Sequence, residues 1–291
     1  MKIGLIIASH GRRELLRRTL SWVERQVRQP DRVVLSIVSG EDFEANLQPD
    51  SLNIDVVYSS VGSCAQRNAG LAAIQSKVDV VLFIDDDFWM SENYLLDVER
   101  LFTLHRDVVA ATGLVLADGA TNSGISCEEA ERVLRDYERS PAPGEIIRDV
   151  PDTYGCNMAF RTHEIGNLRF DERLPLYGWQ EDVDFSAQLR GHGRIVWTNA
   201  LFGVHLGSKK GKTSGIRFGY SQIANPLFIF GKGNMTLGRA LGMICRNIAA
   251  NASKSFFPEE YIDRPGRFKG NIIGLVHAIS GRLDPMYVLK L

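Results

Sequence analysis

Strand and helix patterns alternate through the first half of the chain. The apolar run KIGLIIAS after Met1 reads as a β-strand, and RRELLRRTLSWVERQ then places Leu15, Leu16, Leu20 and Val23 at helical spacing and stops before Pro30. RVVLSIV predicts a second strand, EDFEANL a short acidic helix or loop, and NIDVVYS a third strand. GSCAQRNAGLAAIQSK, with small residues on one face, predicts a helix packed closely on a sheet; VDVVLFID follows as a fourth strand, YLLDVERLFTLH as a helix and VVAATGLVLA as a strand. This alternation predicts an α/β fold with a parallel sheet flanked by helices.

The pattern loosens from Asp118 to Pro151, a polar stretch with one helical run, EEAERVLRDYERS, closed by Pro141 and Pro143; an insertion or flexible flap is expected there. Order resumes with a strand at YGCNMAFRT, a short helix from His163 to Gly166, a helix in GWQEDVDFSAQLRGHG and the extended run RIVWTNALFGVHL. Beyond Gly231, LGRALGMICRNIAA and KGNIIGLVHAISGR set apolar clusters among Arg and Lys, and neither run is long enough to span a bilayer.

Composition adds a boundary. With 291 residues, 44% hydrophobic and 24% charged, the chain is that of an ordinary globular protein. The net charge of -1 hides an asymmetry, because 13 Lys and Arg stand against 4 Asp and Glu from Lys209 onward and 21 against 31 before it. The expected division is residues 1–208 as one domain, split near 117, and 209–291 as a flexible loop and basic helical region. Four scattered cysteines without a CxxC pair suggest neither a zinc site nor a disulfide framework, and a reducing cytoplasm is the simplest home. No nucleic-acid partner is expected.

The candidate chemistry begins at VVLFIDDD, where a buried strand runs into Asp85, Asp86 and Asp87. Ligands of open α/β sheets sit outside the carboxyl ends of strands. Three adjacent carboxylates repel one another unless compensated, and hard oxygen ligands favour Mg²⁺ or Mn²⁺. The plainer alternative is an acidic loop that caps the next helix. GSKKGKT at Gly207 to Thr213 imitates a phosphate-binding P-loop, but only three residues separate its glycines where four are needed, so a P-loop nucleotidase is set aside.

Taken in order, ASHGRREL, GSCAQRNAGL, DDD, GCNMAFR, GWQEDVDFSAQL and VHLGS resemble the family-two inverting glycosyltransferases of the GT-A fold over roughly residues 1 to 230. The resemblance implies a Rossmann-like, mixed, mainly parallel sheet flanked by helices with a basic helical C-terminal extension, and transfer of a sugar from a nucleotide diphosphate with inversion, assisted by Mn²⁺ or Mg²⁺. It implies that Asp85 and Asp87 form the metal-binding pair, with Asp85 also toward the nucleotide-sugar and Asp86 counted there without touching the metal. Ser9, His10 and Arg12, with Glu41 or Asp42, would hold the nucleoside. Here the sequence departs, since VSGEDFE stands where relatives have a run such as SDDGS. Gln66, Arg67 and Asn68 fall where an Arg and an Asn approach the nucleotide, and the forked donors of Arg67 suit a diphosphate.

By the same resemblance Asp182 is the general base and Glu181 an orienting neighbour, with Asp184 a decoy on the helix surface. Tyr177 and Trp179 would form a platform for the acceptor, a glycan or lipid-linked saccharide in surface polysaccharide synthesis. His205 would complete the metal site; packing is its bland alternative. Arg217 and Tyr220 follow a loop, Gly207 to Gly215, that could close over the diphosphate. Trp89 is expected to be buried. The basic C-terminal region suggests peripheral contact with an anionic membrane at its inner face, the competing account being packing on the catalytic domain or a homodimer contact. A catalytically silent nucleotide-sugar or glycan-binding module is the alternative function, and intact Asp85, Asp87 and Asp182 argue against it.

Overall fold

Apolar runs too hydrophobic for a solvated face become the centre of a sheet. In the computed structural model, residues 1–44, 49, 51–139, 144–208, 214–257 and 259–291 are described. The expected boundary at Lys209 and Pro141 and Pro143 lie outside them. The chain divides into two units: Met1–Val61, Ala65–Arg169 and Leu189–Gly211 form the first, and Gly62–Cys64, Phe170–Gln188 and Lys212–Leu291 the second.

The first unit holds β1 (Ile3–Ala8), α1 (Arg13–Val23), β2 (Arg32–Ile37), β3 (Ile54–Tyr58), most of α2 (Ser63–Ile74), β4 (Val80–Asp85), β5 (Phe88–Met90) and α3 (Tyr94–Leu104). It continues through β6 (Val108–Asp118), α4 (Cys127–Arg139), β7 (Ile147–Asp149), β8 (Asn157–Arg161), α5 (Thr162–Ile165) and β9 (Arg194–His205). The sheet order is β3-β2-β1-β4-β8-β6-β9-β5, with β7 also on β9. The four strands from β3 to β4 are mutually parallel, and β8 enters antiparallel between β4 and β6.

Alternate residues set the two faces of the sheet. Ile3, Leu5, Ile7, Val33, Leu35, Ile37, Val80, Leu82 and Ile84 share a core with Leu16 and Leu20 of α1 and Leu95, Val98 and Phe102 of α3. On the other face α2 approaches closely enough that a Cβ at Gly70 would collide with Ile6, and one at Gly4 with Ile74. The small-residue face predicted for that helix is what permits this.

Two strands escape the sequence pattern. β5 is three residues long and directly follows the aspartates, and β7 sits in the loosened segment; both pair antiparallel with β9. That segment is also less of a flap than expected. Ala130 and Leu134 of α4 pack with Trp22, Trp89, Val204 and Leu206, and Trp22 stacks on the buried Trp89 at 4.6 Å.

The second unit contains α6 (Glu181–Gln188), α7 (Gly215–Gly231), α8 (Leu237–Lys254) and α9 (Arg264–Ile279), so the basic C-terminal region is helical as expected. Ser214, Thr236 and Asp263 cap α7, α8 and α9 by accepting from backbone N–H groups of the first turn. Between these helices three buried amides bond to one another. Asn251 Nδ2 donates to Gln222 Oε1 and to Asn271 Oδ1, each at 2.8 Å, and Asn271 Nδ2 donates to the Gly219 carbonyl at 2.7 Å. α7 and α9 meet at glycines, where a Cβ on Gly270 would fall on the Ile216 carbonyl and the Tyr220 amide. Among the described residues no helix is long and apolar enough to cross a membrane.

Gly270→Ala should therefore destabilise the protein by about 1–3 kcal/mol, because backbone rather than a flexible side chain must give way. Gly242→Ala, on an exposed turn of α8 with open space at its Cβ, should be neutral or stabilising by up to about 1 kcal/mol. Chemical denaturation of the two variants checks the contrast; equal losses would mean the glycine contact is not what limits the packing.

Candidate active site

Strand register assembles the acidic site. β1 and β4 pair so that Ala8 lies beside Asp85, which puts the ends of both strands at one edge. The chain then turns through Asp86 and Asp87 into β5, where Phe88 is opposite His205, while β6 and β9 set Asp118 opposite the same histidine. His205 Nε2 lies 3.2 Å from Asp87 Oδ1 and 3.8 Å from Asp85 Oδ2, and Nδ1 lies 2.9 Å from Asp118 Oδ1. Tyr154 donates its hydroxyl to the other oxygen of Asp118 at 2.6 Å.

One ligand atom each from Asp85, Asp87 and His205 lies within 4.8 Å of the other two. Two carboxylate oxygens and an imidazole nitrogen suit Mn²⁺, and the Asp118 contact to the far ring nitrogen is the support that metal-bound histidines ordinarily have. The three residues fit a divalent cation.

Opposite charges decide the titration here. Burial would raise Asp87, but His205 and Arg12 outweigh it, with the Ser208 N–H donating at 2.8 Å, and hold the carboxyl down at about 2. Burial would lower His205, yet its bonds to Asp118 and Asp87 push it up to about 10. Asp118, against its own burial, is held down to about 2 by His205 and Tyr154. Asp86 behaves in the opposite way: fully buried, it is pushed up to about 7 by desolvation, with Arg12 opposing.

The other expected donor-side residues divide into those that face inward and those that do not. Asp86, expected beside the nucleotide-sugar, has no exposed surface; it accepts from Ser9 Oγ at 2.5 Å and pairs with Arg12 at 2.7 Å. Asp42, expected at the nucleoside, is also buried. Its carboxylate accepts from the backbone N–H groups of Gly11, Val38 and Ser39 at 2.6 to 3.1 Å and contacts His10 at 3.3 Å. It clasps the turns after β1 and β2 together, and Gly11 supplies the left-handed φ of 67° that the first turn needs. Glu41 is exposed beside it. Gln66 is buried and donates to the carbonyls of Ser9 and Ser36, both at 2.9 Å. Arg67, rather than lying exposed on its helix, is buried and donates to Asp85 Oδ1 at 3.0 Å and to the Gly155 carbonyl at 2.9 Å.

Glu181, Asp182, Tyr177 and Trp179 belong to the second unit. α6 starts at Glu181, whose carboxylate accepts from the Asp182 N–H, while Asp182 Oδ1 accepts from the Val183 N–H at 2.9 Å. The loop before it is unusual: Leu176, Gly178 and Gln180 all have left-handed φ, at 58°, 61° and 74°. Asn225 pins this loop by donating to the Trp179 carbonyl at 2.8 Å. Asp184 corrects the surface-acid expectation, since it is fully buried and bound by Lys232 Nζ at 2.6 Å and Asn234 Nδ2 at 2.8 Å. Tyr220 is buried, its hydroxyl on the Asp284 carbonyl at 3.1 Å. Of the loop from Gly207 to Gly215, residues 209–213 lie outside those described.

Sequence reasoning missed Asp118 and Tyr154. Asp118 carried a signal, being an acid at the end of an apolar strand as Asp85 is; Tyr154 carried none.

Residues 5–163 match the model of the family described as glycosyl transferase family 2. Among solved structures, the chain is similar to residues 1–349 of TarS from S. aureus, with TM-score 0.54 and 14% identity over 98% of this chain and 83% of that one. It is similar too to the mannosyltransferase PcManGT from Pyrobaculum calidifontis, in complex with GDP-Man and Mn²⁺, with TM-score 0.52 and 13% identity over 99% of this chain and 85% of that one. The likeness is one of fold, the GT-A arrangement of sheet and helices. The TarS form in complex with UDP-GlcNAc is similar at TM-score 0.50 and 17% identity, over 78% of this chain and 66% of that one. The match spans 40% of the longer TarS chain. No curated protein sequence is similar enough to stand as a relative.

Metal binding should be coupled to a proton. Without metal His205 is an imidazolium over the neutral range, its pKa raised to about 10, and a cation at Nε2 must expel that proton. Mn²⁺ affinity should accordingly rise by about tenfold per pH unit between pH 6 and 8. Calorimetric titration in buffers of differing ionisation enthalpy should register about one proton released, and His205→Ala should abolish it; a pH-independent affinity in the parent would show that His205 is not a ligand.

Proposed function

The chain belongs to glycosyl transferase family 2, and on that premise we propose that it moves a sugar, with inversion, from a nucleotide diphosphate to a hydroxyl of a glycan or lipid-linked saccharide. The observation that carries this reading is the meeting of Asp85, Asp87 and His205 at strand ends, with Asp118 behind the histidine. A decorative acidic loop would not place a supported imidazole against two carboxylates.

The donor class follows from fold and charge together. PcManGT binds GDP-Man with Mn²⁺ and TarS binds UDP-GlcNAc, so a nucleoside diphosphate sugar with Mn²⁺ is the donor to test first, Mg²⁺ being the weaker match to an imidazole ligand. A bound Mn²⁺ would neutralise charge that grows on the departing diphosphate. The chain's own residues do the rest. Arg12 pairs with Asp86 and keeps a guanidinium 3.5 Å from Asp87, and Arg67 fixes the Asp85 carboxylate that turns toward the donor. Asp42 and Gln66 hold the turns after β1 and β2, with Ser9 and His10 among them, in the shape that receives the nucleoside.

Asp182 takes the proton of the acceptor hydroxyl as it attacks, the role that inversion requires of a base on the side opposite the leaving group. Glu181, through the Asp182 N–H, sets the first turn of α6 and positions that carboxylate. Tyr177 and Trp179 receive the acceptor ring. The left-handed residues among them are the kind of backbone strain that persists where a site requires it.

The second unit also supports a peripheral membrane role in polysaccharide synthesis. Phe256, Phe257 and Ile279 are each more than 80% exposed on a region rich in Lys and Arg. Full-length protein should cosediment with anionic vesicles at low salt and release as ionic strength rises, because basic residues near an anionic surface are screened. Indifference to vesicles at low salt would remove this role.

Two substitutions separate chemistry from binding. Asp182→Asn should leave Mn²⁺-dependent binding of UDP, GDP or dTDP intact in thermal-shift assays while transfer falls by about a hundredfold or more. Asp87→Ala should instead lose the Mn²⁺-dependent shift. Full turnover in Asp182→Asn would exclude it as the base.

A further inference from the structure

Phe218, on α7, is the centre of a cluster within the second unit. Its ring centroid lies 5.8 Å from that of Tyr177 and 6.0 Å from that of Trp179, and the guanidinium of Arg267, on α9, covers it at 4.3 Å. Tyr177 and Trp179 come from the loop of left-handed residues that leads into Glu181 and Asp182.

Arg267 differs from its neighbour one turn earlier. Arg264 forks onto Glu259 at 2.6 and 3.0 Å and reaches Asn251 at 3.1 Å. Arg267 is partly buried, and among the described residues its guanidinium has no carboxylate at ion-pair distance and no hydrogen-bond acceptor. The acids that could have served are engaged: Asp263 caps the Gly266 N–H at 2.8 Å, and Glu259 holds Arg264 and Lys254. Burial, with Arg264 adding to it, pulls Arg267 down to about 10, so it stays charged at neutral pH. The aromatic contact satisfies the face of the guanidinium and leaves its five in-plane donors unused. A cation half removed from water, with open donors in a cluster that includes the exposed ring of Tyr177, suits a planar or tetrahedral oxyanion.

We propose that Arg267 binds an anionic group, a carboxylate or a phosphate, carried by the saccharide acceptor whose ring rests on Tyr177 and Trp179. This rests on the reading of that loop as the acceptor side. It makes Arg267 a specificity-determining residue: an acidic or phosphorylated saccharide is accepted, and its neutral analogue is disfavoured.

The test titrates the full chain with methyl glucuronide, glucose 6-phosphate and methyl glucoside, following binding by calorimetry. The parent protein should bind at least one anionic probe about tenfold more tightly than the neutral glucoside. The carboxylate and phosphate arms identify which oxyanion is preferred. Arg267→Gln should bring all three to the glucoside affinity, itself changed by less than about twofold, and Arg267→Lys should retain part of the preference. Absence of the preference in the parent overturns the assignment, as does its survival in Arg267→Gln. If Arg267→Gln does not fold, Arg267→Lys decides: an undiminished preference there overturns the forked geometry. Binding of UDP and GDP with Mn²⁺ to the same samples reads the donor side separately. Where it persists without any anion preference, only the Arg267 assignment falls; where it too is absent, the glycosyl-transfer reading falls with it.

Discussion

Like charges can be gathered at a strand end only if opposite charge is built around them. Asp85, Asp86 and Asp87 are consecutive, and two of the three are almost wholly buried. Each is met by its own cation: Arg67 on Asp85, Arg12 on Asp86 and His205 on Asp87. The three cations arrive from α2, the turn after β1 and the end of β9, so the sheet order is what makes the acidic turn tolerable. The compensation is also graded. Asp86 carries a raised pKa and faces inward, whereas Asp87 is held strongly ionised next to the imidazole. One carboxyl is thus turned into the fold, while its two neighbours lie with His205 at the candidate metal site.

Much of the first unit was legible because its strands are continuous apolar runs and its helices have an unmistakable period. Gly70 and the small residues of α2 announced close packing, and the close approach to Ile6 is what they produce. β5 was illegible because three residues give no period, yet it sets Phe88 against His205 and so carries the histidine to the aspartates. The candidate site was legible in part. Asp85, Asp87 and His205 could be named from order along the chain, but Asp118 meets His205 only through the β6–β9 register, which contains bulges that no local pattern reveals. Asp184 misled because an acid looks exposed in a sequence until its partners, here Lys232 and Asn234, are known.

The loop from Leu176 to Gln180 shows a different economy. Two non-glycine residues adopt left-handed backbone there, a conformation that side chains disfavour, and Asn225 and Ser63 hold the loop through its carbonyls. Both of these hydrogen bonds go to main-chain oxygens, those of Trp179 and Tyr177. Such bonds hold the backbone whatever side chains those two positions carry.

The mutual bonding of Gln222, Asn251 and Asn271 bears on how this chain can change over time. Each amide bonds to the others and to one outer partner, Asn247 for Gln222, Arg264 for Asn251 and the Gly219 carbonyl for Asn271, and all three are buried. Replacing one with an apolar residue strands donors or acceptors on its companions, and replacing all three would still strand Asn247, the Arg264 guanidinium and the Gly219 carbonyl that they also bond. The three positions, one from each of three helices, are therefore tied both to one another and to those outer partners, and a lineage that loses one amide is driven to recast the ring of groups around it.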